Sequence, residues 1–148
     1  MTTKIISANK DNLNELITMA LDLWPDNTFE GLEDEILGLM DGEKDVFLMS
    51  ITNDNVSGFI HMSIRTDYVE GSDSSPVAYI EGIYVKPEFR NKSIARLLFK
   101  AGEDWAKVKG CTQIGSDIEW DNTVSYDFHR KIGFEEANRI ICFIKDIK

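Results

Sequence analysis

Val77-Ala-Tyr-Ile-Glu-Gly-Ile-Tyr-Val85 runs directly into Lys86-Pro-Glu-Phe-Arg-Asn-Lys-Ser-Ile-Ala95 and then into a segment with helical apolar spacing. The order reads as a strand, a basic loop and a helix start. Ala78, Ile80, Ile83 and Val85, with tyrosines interleaved, suit a buried strand, and Gly82 inside the run predicts a bulge or a close backbone approach by a ligand. Beyond the loop, Ile94, Leu97, Leu98, Ala101, Trp105 and Val108 fall on one helix face. Free amides at that helix start, with Lys86, Arg90, Lys92 and Arg96 nearby, form a place to hold a pyrophosphate. A basic turn capped by Ser93 explains the same residues without a ligand.

The chain has 148 residues, the size of one domain over 1–148, and such a domain buries roughly 70% of its unfolded surface around a single core. Sixteen basic against 26 acidic residues give a net charge of −10, which opposes nucleic acid and anionic membrane and favours cationic partners. No apolar run is long enough to span a bilayer, and Met1-Thr-Thr-Lys-Ile-Ile-Ser7 lacks the apolar region of a signal peptide, so a cytoplasmic protein is expected. Cys111 and Cys142 have no metal-ligand spacing and each lies beside an expected strand; buried free thiols and no metal are the reading.

Along the chain, Lys4 to Ser7 predicts a first strand, Asp11 to Leu23 a helix stopped by Pro25, and Glu30 to Met40 a second, acidic helix ended by Asp41-Gly42. Val46 to Thr52 and Gly58 to Arg65 are strands joined at Asn53-Asp-Asn55. Thr66 to Pro76 is too polar for core. After the central strand and helix come a strand at Gln113 to Asp117, a helix from Asn122 to Lys131 ended by Gly133, and a late strand in Ile140-Ile-Cys-Phe-Ile144. The fold class is α/β, a central mixed β-sheet flanked by helices, antiparallel at first and closed by a βαβ crossover.

Arg90-Asn91-Lys92-Ser93-Ile94-Ala95 resembles the acetyl-CoA signature Arg/Gln-x-x-Gly-x-Gly/Ala of the GCN5-related N-acetyltransferase superfamily. It agrees at its first and last positions and has Ser93 where glycine is usual. Asn122-Thr-Val-Ser-Tyr-Asp-Phe-His129-Arg-Lys-Ile-Gly-Phe134 resembles that superfamily's later helix, Asn-x-x-Ala-x-x-Leu-Tyr-x-x-x-Gly-Phe, with spacing preserved. The resemblance implies acetyl-CoA held by Arg90 to Arg96, that is Arg90, Asn91, Lys92, Ser93, Ile94, Ala95 and Arg96, with its pantetheine along the edge of Ile83 to Val85 and Asn122 on the same arm. It places His129 at the position of the acid that protonates the CoA thiolate. A structural or surface histidine is the plain alternative, and Tyr126 is a second candidate for the acid.

Leu23-Trp24-Pro25, Asp67-Tyr-Val-Glu-Gly-Ser-Asp-Ser-Ser-Pro-Val77, Glu81-Gly-Ile83, Lys109-Gly-Cys111, Ser116-Asp117 and Asn122-Thr123 are similar to the aminoglycoside 6'-N-acetyltransferases over nearly the whole chain. That resemblance implies an acceptor pocket in which Trp24 and Tyr68 wall the sugar while Glu81 and Asp117 bind its ammonium groups. It also implies a homodimer paired through C-terminal strands. Chemically, an aminoglycoside presents several ammonium groups, so carboxylates must converge on it and aromatics must meet its apolar faces. Glu81 interrupts an apolar strand and Asp117 ends one, where an unpaired carboxylate is costly. Internal salt bridges with the chain's own Lys or Arg satisfy them equally well, and Trp24 at a helix end has a plain packing role available.

An ammonium has no lone pair, so the acceptor must lose a proton before attacking the thioester. Glu81, directly or through water, is the first choice of base, with Asp117 assisting, and the Ile83 amide beside the bulge meets the oxyanion. No nucleophile constellation calls for an acyl-enzyme. An acetyltransferase of another polyamine or a protein amine, or a non-catalytic CoA-binding module, would keep the same loop.

Overall fold

Asn53 and Asp54 both take left-handed backbone, with φ of 49° and 69°, the geometry of a two-residue type I′ turn, and so set the register of the first half of the sheet. In the computed structural model, which describes residues 1–148, this turn joins β2 (Asp45–Thr52) to β3 (Asn55–Arg65), with Thr52 opposite Asn55. β1 (Thr3–Ser7) and β4 (Val77–Val85) flank that hairpin antiparallel, and β5 (Ile114–Gly115) runs parallel to β4, giving the order β1-β2-β3-β4-β5. Helices α1 (Leu13–Leu23) and α2 (Phe29–Met40) precede the hairpin, α3 (Ile94–Val108) makes the crossover from β4 to β5, and α4 (Thr123–Lys131) follows. The chain divides into two compact units, Met1–Ser116 and Asp117–Lys148.

In the first unit, Leu16, Ile17, Met19 and Ala20 of α1 and Leu32 and Ile36 of α2 are buried with Phe47, Met49 and Phe59 of β2 and β3 in one core. Side chains alternate along a strand, so Ile60 and Met62 face the other side. There, a side chain at Gly102 of α3 would lie 3.1 Å from Met62. Two helices on one face and one on the other bury the sheet, which is why β3 carries a nearly continuous buried run.

β4 carries the irregularity that places the site. His61 pairs with Gly82 and Met62 with Ile80, so Glu81 is the extra residue of a β-bulge. The bulge shifts the alternation by one: Tyr79, Glu81, Gly82 and Tyr84 share the α1 face, while Ala78, Ile80, Ile83 and Val85 take the other. The spacing Ala78, Ile80, Ile83, Val85 in the sequence already carries that shift. The group that approaches Gly82 is a protein side chain, because a Cβ there would lie 2.5 Å from Cζ2 of Trp24.

The second unit consists of α4 and chain without regular secondary structure. Asn122 caps α4 by accepting from the Ser125 amide at 3.1 Å, and Gly133, at φ 102°, ends it as expected. Three expectations are corrected. The strand at Ile140 to Ile144 does not form, and Ile141, Phe143 and Ile144 are 82, 90 and 98% exposed; an apolar run makes a strand only where a neighbouring backbone pairs with it. Cys142 lies in that segment and is exposed, whereas Cys111 is buried, which pushes its thiol up. The polar loop from Thr66 to Pro76 contributes Val69 to the interior, packed with Val77 and Tyr79.

Candidate active site

Glu81 leaves the bulge toward a polar row on β3. Ser63 Oγ donates to its Oε2 at 2.6 Å, and Arg65 holds it as a fork, Nη2 to Oε1 at 2.7 Å and Nε to Oε2 at 3.1 Å. The Arg65 guanidinium carbon itself lies over the Tyr79 ring, 3.5 Å from its centre. Burial is the largest single influence on the Glu81 carboxyl and pushes it up, but the bonds from Arg65 and Ser63 and the charges of Arg65 and His61 outweigh it, so the net direction is down. Glu81 is therefore an anion at neutral pH, and the internal pairing that the sequence left open is present.

The same carboxylate lines a cavity of about 320 Å³ with Trp24, Glu35, Phe47 and His61. Trp24 both packs, edge-on to Phe59 at 6.1 Å, and forms a wall of that cavity, so its two readings hold together. His61 stacks on Phe47 at 4.2 Å, and its Nε2 is 2.7 Å from Asp45 Oδ2. Tyr68, 76% exposed on the loop before β4, stands outside the cavity lining. The loop is tied down at Gln113, whose side-chain carbonyl accepts from the Asp73 amide at 3.0 Å and from Ser74 Oγ at 2.5 Å.

β5 meets β4 only at Ala78 and Tyr79, so Ile80 to Val85, including Ile83 and Val85, has no strand on its outer side. A pantetheine arm recognised through its amides needs such an edge. At the end of that edge, Asn91 and Ser93 adopt φ of 62° and 63°, the conformation that glycine supplies in the related signature. Ser93 is the N-cap of α3 but makes no side-chain cap bond, contrary to the reading of a serine-capped turn. The first-turn amides of α3 therefore remain for an anion, beside exposed Arg90, Lys92 and Arg96 and with no acidic residue in that turn. Ile94 is buried beneath them and Ala95 is half-buried. Arg90 is partly committed already, since its Nε donates to the Val85 carbonyl at 2.9 Å. These residues fit the pyrophosphate of CoA.

Asp117, Asn122 and His129 belong to the second unit. Asp117 is exposed. Asn122 is the α4 cap, and His129 Nδ1 donates to the Ser125 carbonyl at 2.7 Å. A carbonyl only accepts, so Nδ1 carries a proton and Nε2 can donate only when the ring is cationic. Phe134 stands edge-on to the imidazole at 5.1 Å. Arg65, Ser63 and His61 are the residues that the sequence reading missed. Their i, i+2, i+4 spacing marks a polar row on one face of β3, a signal present in the sequence but hidden inside an expected buried strand.

An open edge on the fourth strand, left-handed backbone at the start of the crossover helix and an acidic, aromatic cavity beside a bulge are what transfer from an acyl-CoA to an amine calls for. Residues 11–134 match the acetyltransferase (GNAT) family, and the chain belongs to that family. It is 35% identical over 144 residues to an aminoglycoside N(6')-acetyltransferase type 1 from Acinetobacter baumannii, covering 97% of this chain and 98% of that protein. It is 34% identical over 137 residues to the protein of the same name from Salmonella enteritidis, covering 93% and 94%. Among solved structures, AAC(6')-Iy in complex with the bisubstrate analogue CoA-S-monomethyl-acetylneamine superposes with a TM-score of 0.95 at 33% identity, covering 99% of this chain and 100% of that one.

Proposed function

We propose that this protein is an aminoglycoside 6'-N-acetyltransferase, acting in the cytoplasm as a homodimer and conferring resistance to its acceptors. The observation that carries the reading is the division of labour along β4: Glu81 faces a cavity walled by Trp24, while the strand edge that β5 leaves open beyond Tyr79 leads through Ile83 and Val85 to the anion-binding start of α3. The family match runs from residue 11 to 134, which supports the reading of a single N-acetyltransferase domain over 1–148. The exposed apolar run from Ile140 to Ile144 supports a dimer in which a second copy covers it.

Acetyl-CoA supplies the acetyl group as a thioester, activated for attack by an amine. The backbone of Ile83 to Val85 and the residues from Arg90 to Arg96, with Asn122 of α4, hold and orient the cosubstrate. Trp24 and Tyr68 bound the sugar. Glu81 and Asp117 bind ammonium groups, and Glu81 takes the proton of the reacting one or passes it to water. Its lowered proton affinity suits holding a cation better than retaining a proton, so relay to water follows from the Arg65 pairing. The Ile83 amide donates to the acetyl oxygen as charge develops there. His129, as the imidazolium, returns a proton to the departing sulfur; because a thiolate leaves readily at neutral pH, its contribution is small.

CoA release with kanamycin or tobramycin, beside a matched aminoglycoside with a 6'-hydroxyl, tests the reading. Turnover with the 6'-amine alone supports it. Equal turnover moves the chemistry to another amine. Acetyl-CoA binding without turnover points to a different acceptor or a binding module.

A further inference from the structure

The Glu81 carboxylate has an uneven set of partners. Oε2 accepts from Ser63 Oγ at 2.6 Å and from Arg65 Nη2 and Nε at 2.9 and 3.1 Å, which saturates it. Oε1 accepts from Arg65 Nη2 alone at 2.7 Å and keeps the capacity to accept from a cation in the cavity. The Tyr79 ring, 3.5 Å from the guanidinium carbon, and the two-pronged contact through Nε and Nη2 together favour one orientation of the carboxylate. Ser63 and Arg65 reach Glu81 because all three lie on one sheet face, and the bulge gives Glu81 room opposite His61.

We propose that Arg65 is the positioning residue of the acceptor site: its stacked, two-pronged guanidinium fixes Glu81 as an oriented anion whose Oε1 receives the acceptor's ammonium. The inference rests on the amine-acetyltransferase reading and deepens it. It assigns to Arg65 the low-pH limit of activity, because an anion kept ionised by a permanent cation goes on binding ammonium at a pH where an isolated, half-buried glutamate would be protonated.

The other charged groups around Glu81 act on the same balance. His61 and Asp45 form a pair on β3 and β2, with His61 on the cavity wall, and Glu35 of α2 lines the cavity from the other side. The carboxylates of Glu81, Asp45 and Glu35 outnumber Arg65 and His61, so these surroundings stay net negative even with His61 charged. Arg65 therefore orders Glu81 without making the site repel a cation.

Arg65→Gln and Arg65→Lys test this through two readouts, the pH profile of kcat/KM for acetylation of kanamycin and the titration of the Glu81 carboxyl carbon by NMR in the free protein. In Arg65→Gln both the acid limb and the carboxyl titration move to higher pH, by about one unit, and KM rises about tenfold more than kcat falls. Arg65→Lys restores most of the pH shift, since it returns the charge, but leaves KM raised, since it lacks the fork. It also serves if Arg65→Gln fails to fold, because a raised KM with a carboxyl titration near the wild-type value is then the expected result. An acid limb and carboxyl titration unchanged in Arg65→Gln, or a wild-type KM in Arg65→Lys, overturns the proposal. Absence of turnover by the wild-type protein overturns the acceptor reading instead, and the carboxyl titration then decides alone whether Arg65 holds Glu81 ionised.

Discussion

Val77–Val85 and Ile140–Ile144 are both short apolar runs, yet one is a paired strand of the sheet and the other is exposed chain without regular secondary structure. β4 is paired along its length by β3 and at its start by β5, and its Ile80 is 5% exposed. Ile144 is 98% exposed. Hydrophobicity is common to both; a partner backbone is not. A strand is a pairwise structure, and a sequence window reports only one member of the pair.

The same substitution made in both runs separates them most widely. Ile80→Asp places a carboxylate in the packed sheet face and is expected to destabilise the fold by about 3–5 kcal/mol, enough to leave little folded protein. Ile144→Asp is expected to leave far-UV circular dichroism and unit-one hydrogen-exchange protection unchanged while converting the dimer to a monomer in light scattering. A monomer already present in the wild type would show instead that no second copy covers this run.

Within β4, Glu81 and Gly82 sharpen the comparison by asking what the bulge is for. Glu81→Gln keeps the shape but removes the charge, and kcat/KM for an aminoglycoside is expected to fall about a hundredfold, or about 2.7 kcal/mol of transition-state stabilisation. Gly82→Ala puts a Cβ 2.5 Å from Trp24, and is expected to lower stability by about 1–3 kcal/mol in thermal melts and to raise KM by displacing the cavity wall.

The smallest effect is on stability against pH. Glu81 has its carboxyl lowered in the folded protein relative to the ordinary value of 4.5, so its pairing contributes fully above about that pH and is lost as pH falls through the folded value. Both partners are partly open to solvent, so the contribution is expected to be below about 1 kcal/mol. Chemical denaturation of wild type and Arg65→Gln from pH 7 to 3 should converge at the acid end.

Much of the first unit was legible from the sequence because its signals are local. Asn53-Asp54 specifies a turn, Pro25 stops a helix, and Gly82 inside an apolar run signals the bulge. The cofactor loop was legible for the same reason, although the left-handed backbone of Ser93 was not, because serine there reads equally as an ordinary helix cap. What local patterns could not supply was partnership: that Glu81 is tied to Arg65 sixteen residues earlier, that Trp24 is the group behind Gly82, or that Ile140 to Ile144 finds no strand. Each depends on which backbone lies beside which, and that is decided by the register of the sheet.

In the proposed reaction the amine presented at Glu81 is the 6'-amine of an aminoglycoside. Purifying the product of acetyl-CoA and kanamycin and locating its new amide by two-dimensional NMR tests this most directly. A single acetyl group on the 6' nitrogen is the expected product; an acetyl group on any other nitrogen, or recovery of unmodified kanamycin while acetyl-CoA binds, would overturn the 6' assignment.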